Sequence, residues 1–241
     1  MAENEFEGRV VIVTGGAGGV GRTVSLRWLE SGASVLVVDH AQSTLDALKA
    51  AWTGDPQRLA LAALNVATEV GAAEMAARAE AAFGQPSDTL LHLVGGFGRG
   101  ALDAPDAPAV WERLLAINLT ASFYCYRAVL PSFRRRGGGW IVGLASRAAL
   151  APPARMAAYA ASKAGLIALT QSLSAEVRGE SIHVNVLLAS TIDTPANRQA
   201  MGEQAAEDWV RSDDIADATQ YLCSARARAV HGATLEIYAN A

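Results

Sequence analysis

The sequence predicts an α/β fold in which a parallel β-sheet is covered by helices on both faces. Short β-rich runs alternate with longer helical patterns along all 241 residues, and this alternation is typical of parallel sheets. A glycine-rich turn follows the first predicted strand. The composition, 51% hydrophobic and 18% charged, suits a folded chain with a substantial core. Together these observations predict a single domain over residues 1–241.

Seven short apolar runs are predicted to be strands, and six longer runs are predicted to be helices. The predicted strands cover residues 10–14, 34–39, 58–64, 89–94, 140–144, 183–188 and 234–238. The predicted helices cover residues 20–31, 43–52, 68–83, 107–135, 157–178 and 213–224. No internal repeat or long linker marks a second domain. Such sheets bind ligands beyond the carboxyl ends of their strands, where the strand order reverses.

The turn after the first strand has the composition of a dinucleotide-binding loop. Residues 14–21 read TGGAGGVG, which matches a G-x-G-x-x-G pattern from Gly16 and a T-G-x-x-x-G-x-G pattern from Thr14. Glycines permit a tight turn and let backbone N–H groups approach a pyrophosphate at the start of the next helix. Asp39, at the end of the second predicted strand, is suited to accept hydrogen bonds from an adenosine ribose. A solvated, helix-capping aspartate is the alternative.

Three further segments follow the middle strands. Asn65 and Val66 are expected to end the third strand, where the amide could contact an adenine, although a turn asparagine is an equally reasonable interpretation. The glycine-rich segment 95–100 is expected to border a pocket. Asn118 lies within a long helical pattern, where asparagine has no propensity advantage. A buried amide there needs partners, so either a local structural bond or a catalytic relay would explain it.

The segment from Ser146 to Lys163 holds the candidate catalytic groups. Its second half is rich in Ala and lacks Pro, so it predicts a helix, on which Tyr159 and Lys163 share one face. An ordinary tyrosine pKa of about 10 is too high for easy proton exchange at neutral pH, and a nearby cation favours the phenolate. Ser146, on a predicted loop before the helix, can donate to a substrate oxygen. Tyr-x-x-x-Lys alone is also a common chance pattern.

Composition argues against several other classes of protein. The net charge of −4 argues against a nucleic-acid partner, and the basic run 134–136 is interpreted as a helix C-terminus. Cys125 and Cys223 form no recognisable metal or disulfide spacing, so no metal is expected. The acidic N-terminus does not resemble a signal peptide, and no apolar run approaches about 20 residues. A soluble, cytoplasmic protein without membrane contact is therefore expected.

With these motifs in place, the chain resembles the short-chain dehydrogenase/reductase family over nearly its whole length. The T-G-x-x-x-G-x-G pattern is similar to the family's cofactor loop, and Asn118, Ser146, Tyr159 and Lys163 match its catalytic tetrad in order and spacing. The resemblance implies a Rossmann-type doubly wound, seven-stranded parallel sheet and hydride transfer between a nicotinamide and a carbonyl or secondary alcohol carbon.

The resemblance also implies a role for each residue of the site. Tyr159 would be the general acid/base, Ser146 would orient the substrate oxygen, Lys163 would bind ribose and lower the Tyr159 pKa, and Asn118 would hold a water in a proton relay. Residues 190–211 would form a substrate lid. The implied cofactor contacts are Gly15, Gly18, Gly19, Val20, Gly21, Asp39, Asn65, Val66, Gly95, Tyr159, Lys163, Ile192 and Thr194.

The cofactor and the assembly follow from the same comparison. Asp39 favours NAD(H) over NADP(H), because a 2′-phosphate would bring a second negative charge against it. The Ala-rich helices near 107–135 and 157–178 are those that the family commonly uses to form dimers within tetramers, so a homo-oligomer is expected. The small-molecule substrate is a carbonyl or an alcohol. The side chains expected to face it are partly apolar and partly cationic: Phe97, Arg99, Arg147, Met156, Asn197 and Arg198.

The chain departs from the family pattern at three places. The usual Asn-Asn-Ala-Gly after strand four is replaced by residues 92–95, the usual Pro-Gly after strand six by residues 189–190, and the C-terminal Asp-Gly-Gly by residues 238–240. Residues 94–97 and 193–201 resemble quinonoid dihydropteridine reductase, which works without the serine. Because Ser146 is present, a carbonyl/alcohol oxidoreductase is favoured, pteridine reduction is second, and a non-catalytic dinucleotide sensor is third.

Overall fold

The computed structural model describes residues 5–202 and 204–240, which form a seven-stranded parallel sheet. The strand order is β3-β2-β1-β4-β5-β6-β7. The strands are β1 (Val10–Thr14), β2 (Ser34–Asp39), β3 (Leu59–Ala63), β4 (Thr89–His92), β5 (Gly139–Ser146), β6 (Ile182–Ala189) and β7 (Thr234–Ile237). The predicted fold class and number of strands are confirmed.

Within residues 5–202 and 204–240, eight α-helices connect the strands and cover both faces of the sheet. They are α1 (Gly19–Glu30), α2 (Gln42–Ala51), α3 (Glu69–Phe83), α4 (Ala107–Leu115), α5 (Ala121–Arg136), α6 (Ala157–Glu176), α7 (Pro195–Met201) and α8 (Ser212–Leu222). Trp28 of α1, Leu45 of α2 and Ile215 of α8 belong to the core on one face. Met75 of α3 and Leu166 of α6 belong to the core on the other face, together with residues of α5.

The strand order reverses between β1 and β4, which places a ligand cleft at their carboxyl ends. β1 pairs with β2 on one side and with β4 on the other, and Thr14 lies opposite His92 at the end of the second ladder. The Thr14 hydroxyl and His92 Nδ1 are 2.9 Å apart. Both side chains are buried. The switch point is therefore closed by a hydrogen bond between neighbouring strand ends.

Three predictions about the ends of strands were wrong, and the structure gives a physical reason for each. Asn65 and Val66 lie in a turn beyond β3, because the Asn65 side chain accepts a hydrogen bond from the Ala67 N–H (3.0 Å). β4 ends at His92 because its neighbour β1 turns away at Gly15, where φ is +64°. Ser146 is the last residue of β5 and not part of a loop, since β5 pairs with β6 as far as Ser146 opposite Ala189.

The long predicted helix over 107–135 is continuous but changes its winding. α4 and α5 are joined by a π-helical turn, Ala116–Thr120. α5 ends at Arg136 and is capped by Gly137, which adopts φ +77°. The preceding basic run forms ion pairs with carboxylates: Arg134 with Glu180, Arg135 with Glu80 and Arg136 with Asp88. The interpretation of this run as a helix C-terminus is confirmed.

The predicted lid segment contains α7 and a short 3-10 helix, Gln204–Asp208. Its two ends meet where Ile192 bridges Val210, so the segment leaves the sheet and returns to the same place. Within the part of the chain that is described, no helix is long and apolar enough to cross a membrane. The same residues contain no cluster of His, Cys, Asp and Glu side chains that could hold a metal ion.

The Arg136–Asp88 pair should contribute far more to stability than the adjacent Arg135–Glu80 pair. Asp88 is 3% exposed and also accepts hydrogen bonds from the Val10 N–H and the Thr89 hydroxyl. Asp88→Asn should lower the free energy of unfolding by about 3 kcal/mol, because it leaves a partly buried guanidinium without its counter-charge. Glu80→Gln, in an exposed pair, should cost less than about 1 kcal/mol. Urea unfolding measures both values, and equal losses would contradict this assignment.

Candidate active site

The glycine-rich turn brings backbone unusually close to backbone. A Cβ on Gly21 would lie 2.0 Å from the carbonyl oxygen of Gly15, and a Cβ on Gly15 would lie 2.9 Å from the Val94 nitrogen. α1 begins at Gly19, and no described side chain caps its N-terminus or places an acid in its first turn. The first N–H groups of α1 therefore remain available to an anion such as a pyrophosphate.

Asp39 is buried beside this turn. It is 7% exposed, and its Oδ2 accepts a hydrogen bond from the Ala17 N–H (3.2 Å). Its Oδ1 accepts from the His40 N–H (2.8 Å) and lies 3.0 Å from His40 Nδ1. The alternative of a solvated helix cap is wrong, because the N-cap of α2 is Ala41. Asp39 instead fixes the glycine turn against the end of β2.

A groove at the ends of β1, β2 and β4 has the position expected for the adenosine half of a dinucleotide. Val66 is buried in its wall, whereas the exposed Asn65 uses its amide oxygen to form the turn. Asn65 therefore forms a turn, as one of its two interpretations predicted, and it also borders the groove. Contact between its amide and an adenine stays a prediction. The lining residues are Gly15, Val38, Asp39, His40, Leu64, Asn65, Val66, Ala67, Val94, Ile117 and Ala121.

Asn118 lies in the π-helical turn and is 1% exposed. Its Oδ1 accepts from the Gly96 N–H (2.8 Å), and its Nδ2 donates to the Gly96 carbonyl (3.0 Å) and to Ser162 Oγ (3.0 Å). The amide thus joins the loop after β4 to α6. These contacts support the structural explanation for a buried asparagine. Its role in a relay remains a prediction.

Lys163 is almost fully buried and donates a hydrogen bond from Nζ to the Leu144 carbonyl of β5 (2.8 Å). Burial lowers the pKa of this lysine from its ordinary value of 10.5 to about 8, because removal from water disfavours the charged form. A Cβ on Gly95 would lie 3.1 Å from Nζ and 2.9 Å from Asn118 Oδ1. Only a residue without a side chain fits at this point without displacing its neighbours.

Tyr159 stands between Ser146 and Phe97. The Phe97 ring meets it edge to face, with ring centroids 5.1 Å apart. Burial raises the pKa of Tyr159, and the hydrogen bond with Ser146 acts in the opposite direction. The predicted lowering of this pKa by Lys163 is therefore corrected: the net direction is upward, and Ser146 is the group that opposes it. The lysine is instead directed to the backbone of β5.

The start of the lid rests on the glycine turn. A Cβ on Gly19 would lie 3.2 Å from Cβ and Cγ2 of Thr194. Thr194 also caps α7 by accepting from the Asn197 N–H (3.2 Å). Ile192 pairs with Val210 next to it, and Val20 packs into the core below the turn. The structure thus brings the glycine turn, Asp39, Val66, Gly95, the four tetrad residues and the lid start to one edge of the sheet.

Sequence reasoning missed three residues of this region. Ser162 accepts from Asn118 and donates to the Tyr159 carbonyl (2.8 Å); its signal was a hydroxyl directly before Lys163 in an Ala-rich helix. His92 was noted only as a departure from a family motif, and its bond to Thr14 was not foreseen. Arg155 adopts φ +66°, and the two prolines before it gave only a general indication of a turn.

A glycine turn at a helix start, a buried acid at the next strand end, and a Tyr–Lys pair beside them define the class of protein. They define an α/β dinucleotide-binding oxidoreductase. Comparison with known proteins gives the family: the chain belongs to the short-chain dehydrogenase family, whose model matches residues 9–205.

Named relatives cover most of the chain. Short chain dehydrogenase ausX of Aspergillus calidoustus is 31% identical over 96% of each chain. The 2-dehydro-3-deoxy-L-rhamnonate dehydrogenase (NAD(+)) of a Sphingomonas strain is 33% identical over 86% of this chain and 80% of its own. A crystal structure of 3-ketoacyl-(acyl-carrier-protein) reductase from Brucella melitensis, complexed with NADH, superposes with a TM-score of 0.84 at 25% identity, covering 97% of this chain and 98% of that one.

The charge of Lys163 should make stability depend on pH in the alkaline range. Between pH 8 and 10.5 the unfolded chain holds this proton and the folded protein does not, so the contribution of Lys163 to stability should rise with pH across that range. Lys163→Met removes the effect. Urea unfolding at pH 7 and pH 10 measures the free energy of unfolding of both proteins. From pH 7 to pH 10 the wild-type value should increase relative to that of the variant. A difference between the two proteins that does not change with pH would contradict the lowered pKa.

Proposed function

We propose that the protein is an NAD(H)-dependent oxidoreductase that transfers a hydride between the nicotinamide and a carbonyl or secondary alcohol carbon. The observation that carries this proposal is the placement of Ser146 at the end of β5 and of Tyr159 and Lys163 on α6, with Lys163 Nζ donating to the Leu144 carbonyl of β5 (2.8 Å), next to the dinucleotide groove. The hydroxyl groups of Ser146 and Tyr159 could there both donate hydrogen bonds to one substrate oxygen. The small-molecule substrate and the four candidate catalytic residues are part of the same proposal.

The residues present fit a nicotinamide dinucleotide. The uncapped start of α1 would hold the pyrophosphate, Asp39 the adenosine ribose and Val66 the adenine side. Gly18, whose Cβ would meet only the Gly15 oxygen at 3.4 Å, leaves the face of the turn open. When bound, the cofactor supplies or accepts the hydride. The remaining chemistry, which is proton transfer and polarisation of the substrate oxygen, belongs to the chain.

Tyr159 is the proposed general acid/base. Its raised pKa keeps the phenol protonated at neutral pH, as the acid in carbonyl reduction must be. Ser146 donates to the same substrate oxygen and stabilises the charge that develops on it. In alcohol oxidation Tyr159 acts as the base that accepts the proton of the substrate hydroxyl. Asn118 positions the loop after β4, and its proposed role in a relay from Lys163 to solvent completes the proton path.

The charge at Asp39 supports NAD(H) as the cofactor. An ionised carboxylate accepts hydrogen bonds from ribose hydroxyls but repels a 2′-phosphate. At about 4 Å and an effective dielectric near 20 that repulsion is roughly 4 kcal/mol, an upper figure for an open site. The neighbouring His40 directs Nδ1 at Asp39 itself. One relative is an NAD(+) dehydrogenase by name, and one structural neighbour is described in complex with NADH.

Two alternatives have less support. A dihydropteridine-reductase-like reaction is suggested by residues 94–97 and 193–201, which border the site, but that reaction needs no serine, and here Ser146 is present at the end of β5. A non-catalytic sensor would not require the tetrad, and all four residues are present.

We also propose a cytoplasmic homo-oligomer. Phe123 of α5 is 49% exposed and Trp111 of α4 is 42% exposed, so these helices present aromatic surface that a second copy could cover. Cys125 and Cys223 are both free and buried. Unpaired thiols are typical of proteins from a reducing compartment.

Tyr159→Phe should lower turnover by about 100-fold or more while NADH binding is kept, because only the ionisable hydroxyl is removed. Ser146→Ala should also lower turnover severely, because Ser146 is proposed to donate a hydrogen bond to the substrate oxygen. Tyr221→Phe, on the exposed side of α8, is the matched control. Steady-state assays across ketones, secondary alcohols and a quinonoid dihydropterin provide the readout. Near-normal turnover by Tyr159→Phe would remove this residue from the mechanism, and an unaffected Ser146→Ala enzyme would favour the pteridine route.

The unmodified protein should bind NADH at least tenfold more tightly than NADPH, a difference of about 1.4 kcal/mol. Asp39→Asn should narrow this gap, because the amide removes the charge and keeps the side-chain shape. Asp46→Asn, which removes an exposed charge on α2, should leave the gap unchanged. Calorimetric titration gives the dissociation constants. Equal or tighter binding of NADPH by the unmodified protein would overturn the assignment of Asp39.

A further inference from the structure

We propose that the substrate carries a carboxylate, which Arg99 and Arg155 bind in a second groove next to Tyr159. The proposal rests on the proposed function, because it assigns the end of the substrate that lies away from the reacting carbon. It concerns a groove separate from the dinucleotide groove and built from different residues.

This second groove lies between the loop after β4 and the start of α6. Arg99 and Leu102 line it from the loop, Trp111 from α4, and Arg155, Met156 and Ala158 from the segment that leads into α6. Ala158 directly precedes Tyr159. Phe97, two residues before Arg99, contacts the Tyr159 ring. The groove therefore reaches the residues that directly precede Tyr159 on α6.

Of the three arginines expected to face the substrate, Arg147 and Arg198 already interact with other side chains, whereas Arg99 does not in the described part of the chain. Arg155, which was not predicted, resembles Arg99. Arg198 forms a two-point ion pair with Asp193, and the Arg147 guanidinium lies over the Tyr238 ring. By contrast, neither the Arg99 nor the Arg155 side chain forms an ion pair or a hydrogen bond within residues 5–202 and 204–240. Both are exposed. These two guanidinium groups keep all their donors for a ligand.

The backbone holds the two arginines at the same groove. The Gly100 N–H donates to the Arg155 carbonyl (2.8 Å), which ties the residue after Arg99 to Arg155 itself. Arg155 has φ +66°, a conformation that is unfavourable for a residue with a Cβ. Strained backbone that the surrounding structure maintains is concentrated at binding sites. Here the strained residue is one of those that line the groove.

The lining indicates the chemical class of the ligand. The groove is lined by two guanidinium groups and by one carboxylate, that of Asp106. It therefore has an excess of positive charge, although the net charge of the chain is −4. Guanidinium groups bind carboxylates through paired, charge-assisted hydrogen bonds. Leu102, Trp111 and Met156 supply apolar surface in the same groove. An oxo acid with a short apolar spacer matches this arrangement.

A series of oxo acids tests the proposal directly. NADH oxidation is measured with 4-oxopentanoate, 5-oxohexanoate, 6-oxoheptanoate and 7-oxooctanoate, each against its methyl ester. At the best chain length the acid should have a kcat/KM at least tenfold above that of its ester. Arg99→Gln and Arg155→Gln should each lower kcat/KM for the acid by about tenfold and change that of the ester less than twofold. Arg78→Gln, which removes an exposed arginine of α3, should change neither.

A binding measurement keeps the two proposals distinguishable. Dissociation constants for the same acids and esters are measured by ligand-observed NMR on the complex with NAD⁺, which cannot reduce them, with wild type and with the Arg99→Gln/Arg155→Gln double variant. Tighter binding of an acid, lost in the double variant and reduced by salt, supports the groove. Equal binding of acid and ester, or a preference that survives in the double variant, overturns the groove even if both ligands are reduced. Binding preference without reduction of any acid or ester would count against the proposed reaction while the groove stands.

Discussion

Close packing of backbone against backbone at the centre of the sheet is the constraint on which the rest of the structure depends. Neither Gly15 nor Gly21 has room for a Cβ, because the turn folds onto itself and onto the Val94 backbone. The turn can therefore end β1 and start α1 within a few residues, beside the end of β4. Asp39 secures it from β2 through the Ala17 N–H. The open helix start and the buried acid, both needed to hold a dinucleotide, are consequences of this packing.

The catalytic edge is held by a second set of contacts, made by buried polar groups. Asn118 ties Gly96 to Ser162, and Ser162 bonds the Tyr159 carbonyl. Lys163 is fixed to β5 through the Leu144 carbonyl. In surroundings of low dielectric, buried polar groups that all have hydrogen-bond partners hold the site in a single conformation. The loop after β4, the π-helical turn and α6 thus form one unit, and the oxidoreductase chemistry proposed for it depends on that unit remaining rigid.

The sequence predicted the features that depend on local pattern. Alternating strands and helices, the glycine turn and the Tyr–Lys spacing each leave a short-range signal, and the structure has all three. Features set by partners distant in the chain were missed. Ser146 belongs to β5 because that strand pairs with β6 as far as this residue. Asn118 lies in a π-helical turn, and its side-chain amide is hydrogen-bonded to Gly96. The direction of the Tyr159 pKa followed burial, which residue spacing does not reveal.

Hydrogen–deuterium exchange with and without NADH tests the central claim, that the dinucleotide lies across the glycine turn and the end of β2. The account predicts slower amide exchange on adding NADH in residues 14–22, 38–41 and 64–67, with the turn most strongly protected. NADH binding that leaves exchange in these three segments unchanged, or that protects only residues elsewhere in the chain, would contradict it.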